Sequence, residues 1–273
     1  MLAFLCFIIV LSTDFSAQGA ELTPGETGVV IEVSDGDTLT LSDGLVVRLV
    51  GLQAPKLPLG RSRFLTWPMA PESRDALKDL VLRRAVTLSY GGTRRDRHGR
   101  ALAHLHRTDG LWVQGEMIAR GLARVYSFQD NRTCVTELLD IERQARVAHQ
   151  GLWALDAYRI YDPSNAFQGV DGFQIVEGRV LDAKKVRDWI YLNFGADWRR
   201  DFTVSISVRH QNLFEQKGWD LLNLQGKKIR VRGWLGLRNG PHIQATHPEQ
   251  IEQYALSPQE QTAHQNSCSK PPS

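Results

Sequence analysis

The sequence predicts a mainly β protein with α insertions (α+β): a small Greek-key barrel of the OB type, followed by a second, OB-like β-barrel. Three observations carry this. Asp35-Gly36 and Asp43-Gly44 each separate β-rich runs, and Asp-Gly in that setting is a strong hairpin signal because glycine accepts positive φ without cost. Helical periodicity in the first half is confined to stretches inserted among the later strands. The second half then shows five more β-rich runs with one helical stretch between the third and the fourth.

The elements follow in order. Leu2 to Leu11 is an uncharged apolar run, followed by small residues at Ala17, Gly19 and Ala20. It is shorter than the roughly 20 residues of a membrane span. Residues 1–20 therefore read as a secretory signal peptide with cleavage near Ala20, which makes the protein secreted or periplasmic. No later stretch is apolar enough to span a bilayer. Val29–Val33, Thr38–Leu41 and Leu45–Leu52 form a three-stranded meander around the two Asp-Gly turns. Gln53 to Pro68 is a loop with three prolines and Gly60. Pro71 suits the first turn of a helix running to about Arg84, with Ala76, Leu77, Leu80 and Val81 on one stripe.

Ala85–Tyr90 and Ala101–His106 are strands separated by Gly91-Gly92 and a basic loop. Val113–Arg120 is a short helix, Ala123–Ser127 a strand, and Arg132–His149 a helix ended by Gly151. This places one domain at 25–155. A linker over 156–172 leads to a second β domain at 173–254, with strands at 174–181, 189–194, 202–208, 227–235 and 243–246 and a helix near 211–222. Residues 255–273 are Ser-, Gln- and Pro-rich and read as a disordered tail.

Composition narrows function little. Hydrophobic residues make up 42% and charged residues 23%, enough to bury a core, and the net charge of +3 does not by itself specify nucleic acid. Cys6 would leave with the signal; Cys134 and Cys268 remain, and no structural disulfide is expected between them. Cysteines and histidines nowhere take zinc-ligand spacing.

Three residues stand out chemically. Asp37 follows a tight turn, so its place is fixed by backbone geometry, and its carboxylate suits a hard cation such as Ca²⁺; the plain alternative is a turn residue. Arg48 lies in the apolar strand Leu45–Val50 on the face of Val46 and Val50, where it needs a partner or a ligand; the alternative is a salt bridge to Asp37. Arg100 follows Gly99, which can aim it along the next strand. Two converging arginines can clamp a phosphate.

The succession Asp35-Gly36-Asp37-Thr38, Arg48-Leu49, Ala54-Pro55, Asp96-x-x-Gly99-Arg100, Gly121-Leu122-Ala123-Arg124-Val125 and Gly151-x-Trp153 resembles the staphylococcal nuclease, or thermonuclease, family over residues 28–153. The resemblance implies a nucleic-acid phosphodiesterase (a hydrolase) in which two aspartates and a backbone carbonyl hold Ca²⁺. A glutamate acts on the attacking water, and two arginines stabilise the pentacoordinate phosphate. Asp37 matches the first aspartate, and Arg48 and Arg100 match the arginines. Where the family reads Asp-Thr/Ala-Pro-Glu, this chain reads Gln53-Ala54-Pro55-Lys56. The second metal carboxylate is thus Gln53, and the catalytic glutamate is Lys56.

Two Asp, one Glu and two Arg sum to −1, and a divalent ion brings that to +1. Here Asp37, Arg48, Lys56 and Arg100 sum to +2 with no metal. Ca²⁺ is therefore expected to bind poorly; no cofactor is expected, with Ca²⁺ required only if the family mechanism survives. Lys56 would take over the metal's charge, leaving Arg48, Lys56 and Arg100 to bind phosphate. A neutral Lys56, or His98, is the alternative base for an altered, metal-independent hydrolase. A third reading is a non-catalytic envelope scaffold in which Asp37, Arg48 and Lys56 form an internal salt bridge.

Phe64 and Trp67, among Arg61 and Arg63, are candidate base contacts, or else cover one end of the barrel. Tyr126 and Phe128 lie near the family's substrate-facing tyrosines, and Tyr126 is a further candidate base contact. In the second domain Lys227–Arg232 reads as a half-buried strand with a solvated basic face, and Trp189, Trp198 and Trp234 as core. The partner expected is nucleic acid or another phosphodiester.

Overall fold

The computed structural model describes residues 22–253; the expected signal peptide, the expected tail, Cys6 and Cys268 lie outside them. Cys134 is a free thiol. Five strands close the first barrel: β1 (Thr23–Asp35), β2 (Thr38–Leu41), β3 (Val46–Leu49), β5 (Ala85–Tyr90) and β6 (Ala101–Arg107). They run in the order β1-β2-β3-β6-β5, with β3 and β6 parallel. β1 serves both neighbours, pairing with β5 through its first half and with β2 through its second. Alternate residues point inward, so Val30, Leu39, Val47, Val86, Leu88 and Leu105 share one fully buried core. α1 (Ala70–Val81), α2 (Val113–Ala119) and α3 (Val135–Val147) seal the barrel with buried Leu77, Met117 and Leu138. The helix expected to reach Arg84 stops earlier because Leu82 is extended and Arg83 takes φ 60°.

Two glycine placements explain the sequence pattern differently from expectation. Gly44 does take positive φ, 85°. Gly36 does not; there a Cβ would lie 2.0 Å from Ser73 Oγ, so space and not dihedral freedom requires glycine. Gly121 and Gly151 meet backbone to backbone, with φ of 64° and 53°; a Cβ on Gly121 would sit 2.0 Å from the Gln150 carbonyl. The paired motifs Gly121-Leu122 and Gly151-x-Trp153 are one packing contact.

The strand expected over 123–127 is shorter. Only β7 (Arg124–Val125) pairs, and it pairs outside the barrel with β4 (Leu52–Gln53). Tyr126 and Ser127 leave it to meet the second unit.

That unit comprises β8 (Gly172–Arg179), β9 (Asp182–Val186), β10 (Trp189–Asn193), β11 (Thr203–Ser207), α4 (Val208–Glu215), β12 (Lys228–Leu237), β13 (Pro241–Ala245) and β14 (Ile251–Gln253). β8 pairs with β12, and β9 with β10. Between them Val180 N–H bonds the Lys227 carbonyl at 2.9 Å and Leu181 N–H bonds that of Asn193 at 2.8 Å. The chain changes partner there without leaving the sheet. Counting β8 and β9 as one bent strand closes a ring β9-β10-β11-β13-β12-β8, with β11 and β13 parallel. This is the pairing order of the first barrel. Within this barrel, expectation fails at the tryptophans: Trp198 and Trp234 are 45% and 53% exposed, and Trp189 is half-buried on the outer face of its strand, not core.

A buried ion network joins the barrels. Ile229 and Val231 face the core of the second barrel, so Arg232 points the other way, where α3 docks. The expected solvated basic face is therefore covered, and Arg232 is 1% exposed. Its guanidinium donates to Glu142 at 2.7 and 3.2 Å and to the Val125 carbonyl at 3.1 Å, and pairs with Glu252. Arg146 bonds Glu142 at 2.8 Å and Glu252 at 2.9 Å. Arg132 clamps Glu249, and Ser127 bonds His247 at 2.7 Å. Tyr158, from the segment between the units, donates to the Pro68 carbonyl at 2.6 Å.

Removing one partner of a buried pair leaves the other charge uncompensated. Arg232→Met is thus expected to cost on the order of 3–5 kcal/mol in denaturant unfolding. Arg232 and Arg146 outweigh burial and hold the Glu252 carboxyl well below the usual range. Its contribution is present above the unfolded-state pKa and lost as pH falls below it. Wild type should therefore lose stability in acid more steeply than Arg232→Met, as read by unfolding midpoints across an acid series.

Candidate functional site

Asp37 sits where β1 turns into β2. Its N–H bonds Asp35 Oδ1 at 3.0 Å, and the close approach of Ser73 to Gly36 keeps that turn tight. The carboxylate is fully buried and fully partnered. Ala54 N–H donates to Oδ2 at 2.9 Å and Thr38 Oγ1 to Oδ1 at 3.1 Å. Lys56 Nζ lies 2.5 Å from Oδ2 and 2.7 Å from Oδ1, and Arg48 pairs with Oδ2. Arg48 is set by the register of β3, opposite Thr38 on one side and Leu102 on the other. It also donates to the carbonyls of Asp37 at 3.4 Å and Leu52 at 3.3 Å. Gln53 is buried in β4 opposite Arg124, and its Oε1 has no hydrogen-bond partner.

Arg100 enters from the loop before β6. Asp96 holds it through Nε at 2.7 Å and caps the turn through the N–H groups of His98 and Arg100. Arg48, Lys56 and Arg100 all line one open cavity of about 580 Å³, with Arg95, Arg97 and Phe128 around it. The three cations expected to bind phosphate therefore converge.

Two carboxylates missed in the sequence change the charge count. Asp35 accepts from Lys56 at 3.2 Å, and Asp96 pairs with Arg100. Arg48, Lys56 and Arg100 against Asp35, Asp37 and Asp96 sum to zero, not +2. Both had local signals: Asp35 stands two residues before Asp37 in the same turn, and Asp96 four before Arg100.

A divalent cation does not fit this donor set. The Lys56 ammonium already spans both oxygens of Asp37 and reaches Asp35, and Gln53 offers a neutral oxygen only. Among the described residues no cluster of three His, Cys, Asp or Glu is arranged for a metal. Burial, followed by Arg48, pushes the Lys56 ammonium down to about 7, with Asp35 pulling the other way. Burial and then Arg100 lower Arg48 to about 10, which leaves it charged.

The aromatic candidates lie elsewhere. Phe64 and Trp67 stack on each other at 6.1 Å, with the Arg61 guanidinium 3.8 Å over Phe64, and neither lines the cavity. Tyr126 faces the cleft between the barrels, accepting from Trp234 Nε1 at 3.1 Å and packing edge-on against Phe128 and Phe173. Phe128, 49% exposed, borders both the cleft and the cavity. His98 is exposed beside Arg97 and does not line the cavity.

A phosphodiester has no titration near neutrality, so a change across that range reports on the protein, and Lys56→Arg assigns it to Lys56. Its charge is present below pH 7 and lost as pH rises through it. Affinity for a short oligonucleotide, read by fluorescence anisotropy, should fall over that range, and the salt dependence should lose about one unit of slope. Lys56→Arg should flatten both changes.

The family model described as staphylococcal nuclease homologue matches residues 46–155, which contain Arg48, Gln53, Lys56 and Arg100. The chain is 35% identical over 130 residues to a protein named uncharacterized endonuclease from Escherichia coli O157:H7, covering 46% of this chain and 76% of that one. It is 27% identical over 162 residues to the thermonuclease of Staphylococcus hyicus, covering 54% of this chain and 91% of that one. A prophage-derived endonuclease of Bacillus subtilis is 30% identical over 129 residues, 45% of this chain and 43% of its own. The second barrel lies outside the residues matched by the family model. With that family model over residues 46–155 and a 35% identical relative covered over 76% of its length, the chain belongs to the staphylococcal nuclease family.

Proposed function

We propose that this protein binds nucleic acid through its phosphodiesters at the Arg48–Lys56–Arg100 cavity, and that Ca²⁺-dependent cleavage is lost or strongly reduced. The observation that carries the proposal is the Lys56 ammonium seated on both oxygens of Asp37. It supplies positive charge where the family's cation would bind, and it occupies both oxygens of Asp37. A phosphate gains entry through Arg100, whose side chain is 35% exposed. An ion pair that open to solvent is worth about 0–1 kcal/mol, so an incoming phosphate can displace Asp96. Arg95 and Arg97 stand beside it. Export of the mature chain belongs to the same proposal and is supported by the apolar run Leu2–Leu11 ahead of Ala17, Gly19 and Ala20.

One observation favours a second reading. The three cations and three carboxylates of the cluster balance, which is what a purely structural salt-bridge knot requires. The two readings part in one experiment. Full-length protein is incubated with labelled single-stranded DNA and RNA, with Ca²⁺ or with chelator, beside Arg48→Ala/Arg100→Ala. Binding that weakens with salt and drops at least about tenfold in the double variant, without cleavage, is expected. Absent binding together with a lowered melting temperature in the double variant would establish the structural knot. Cleavage abolished by chelator would overturn the proposal, and chelator-insensitive cleavage rising through pH 7 would assign Lys56 as a base. Gln53→Asp/Lys56→Glu should install Ca²⁺ binding measurable by calorimetry, because it restores two carboxylates and removes the competing ammonium.

A further inference from the structure

The second barrel carries a cavity of its own, of about 440 Å³, on the outer face of β9, β10, β11 and β13. Strand alternation builds it. Ile190 and Leu192 point into the core, so Trp189 and Tyr191 point out. Lys184 on β9 and Ser205 on β11 lie opposite Tyr191 on its two sides. The parallel register of β11 and β13 sets His242 opposite Thr203, and His242 Nε2 shares a hydrogen bond with Ser205 Oγ at 2.9 Å. Two turns form the rim. The β10–β11 turn carries Trp198, and the β12–β13 turn carries Arg238 and Asn239.

The rim is built to hold its shape. Asp201 accepts the Asp197 N–H at 2.7 Å, which folds the Trp198 turn on itself. The other turn leans on it so closely that a Cβ on Gly240 would lie 2.5 Å from the Arg200 carbonyl. Trp198 is 45% exposed, with the Arg199 guanidinium 4.5 Å over its ring, and Arg238 lies 5.7 Å over Trp189. Arg199 and Arg238 have no ion pair among the described residues, whereas Lys184 is paired with Asp182.

An exposed Trp198 and the half-buried Trp189 and Tyr191, interleaved with arginines that have no ion pair among the described residues, on the outer face of an OB-type barrel, match one ligand chemistry. Bases stack on the rings while the cations track phosphates. A neutral sugar would use the rings and leave the arginines without purpose. We propose that this face is a second nucleic-acid site, which takes an unpaired strand by stacking bases on Tyr191 and Trp198 with Arg238 and Arg199 on its backbone. Burial, and then Arg238, push His242 down to about 4, so it meets the strand as a neutral hydrogen-bonding group.

The test uses full-length Arg48→Ala/Arg100→Ala as background, which weakens the first cavity, so that the second barrel is read from the effect of the substitutions added to it. Fluorescence anisotropy with a labelled oligothymidylate or oligouridylate of about 15 nucleotides, in chelator, reads the second barrel. Residual binding is expected in that background. It should weaken at least about tenfold on adding Tyr191→Ser/Trp198→Ala, as expected for the loss of two stacking partners. It should also weaken on adding Arg238→Glu, an exposed turn substitution that spares the core. No residual binding, or residual binding moved less than about twofold by both sets, would overturn the proposal. So would a neutral oligosaccharide that quenches tryptophan fluorescence in wild type but not in Trp198→Ala, when the oligonucleotide does neither. The first cavity is judged separately, by wild type against the background variant, so either site can fail alone.

Discussion

The buried Glu142 carboxylate is the point on which both barrels depend. It is fully enclosed, and a charge there is tolerable only if every lone pair is used. Oε1 takes the Val125 N–H at 2.7 Å, and Oε2 takes Arg146 and Arg232. One group therefore ties α3, β7 and the second barrel together. The consequence runs further. Val125 pairs with Leu52 and Arg124 with Gln53, so β7 places the strand that leads into Ala54 and Lys56. Ala54 N–H and Lys56 Nζ then close on Asp37. The second barrel is thus linked to the candidate site through Glu142, β7 and β4.

Asp37 obeys the same physics with a different outcome. A buried carboxylate needs cations or donors, and in the family pattern a divalent ion meets that need. Here Lys56 meets it from within the chain. The exchange is stable because Asp35 accepts the third direction of the ammonium and Arg48 takes the remaining side of Asp37. While charged, the Lys56 amine has no lone pair to accept a proton, and Gln53 brings no negative charge to the site.

Much of this was legible in the sequence, and what was not has physical causes. The first three strands of the first barrel followed from Asp-Gly turns and alternation, and convergence of Arg48, Lys56 and Arg100 followed from motif register. The charge balance did not, because counting motif positions omits the neighbours that partner them. Asp35 and Asp96 differ from ordinary turn carboxylates only once the side chains are placed. β9 escaped because Asp182-Ala-Lys-Lys-Val186 is largely exposed and shows no alternation, although it completes the second ring. Arg232 looked solvated by its alternation with Ile229 and Val231; a strand face is solvated only where nothing docks on it. Trp198 and Trp234 were misplaced for the opposite reason, since size alone suggested burial.

The features that carry the family resemblance are of two kinds, and they answer to different constraints. Gly36 is held by the nearness of Ser73, and Gly121 and Gly151 by each other's backbone. These are demands of packing and would persist whatever the site does. Asp37 and Arg48 also have a structural reason to remain, since each satisfies the other's burial. Gln53 and Lys56 lie between those fixed points, on the same Ala54-Pro55 anchor, where side chains change without disturbing the backbone. A barrel of this kind can therefore keep the residues that its packing requires while the metal-ligand position 53 and the catalytic-acid position 56 change.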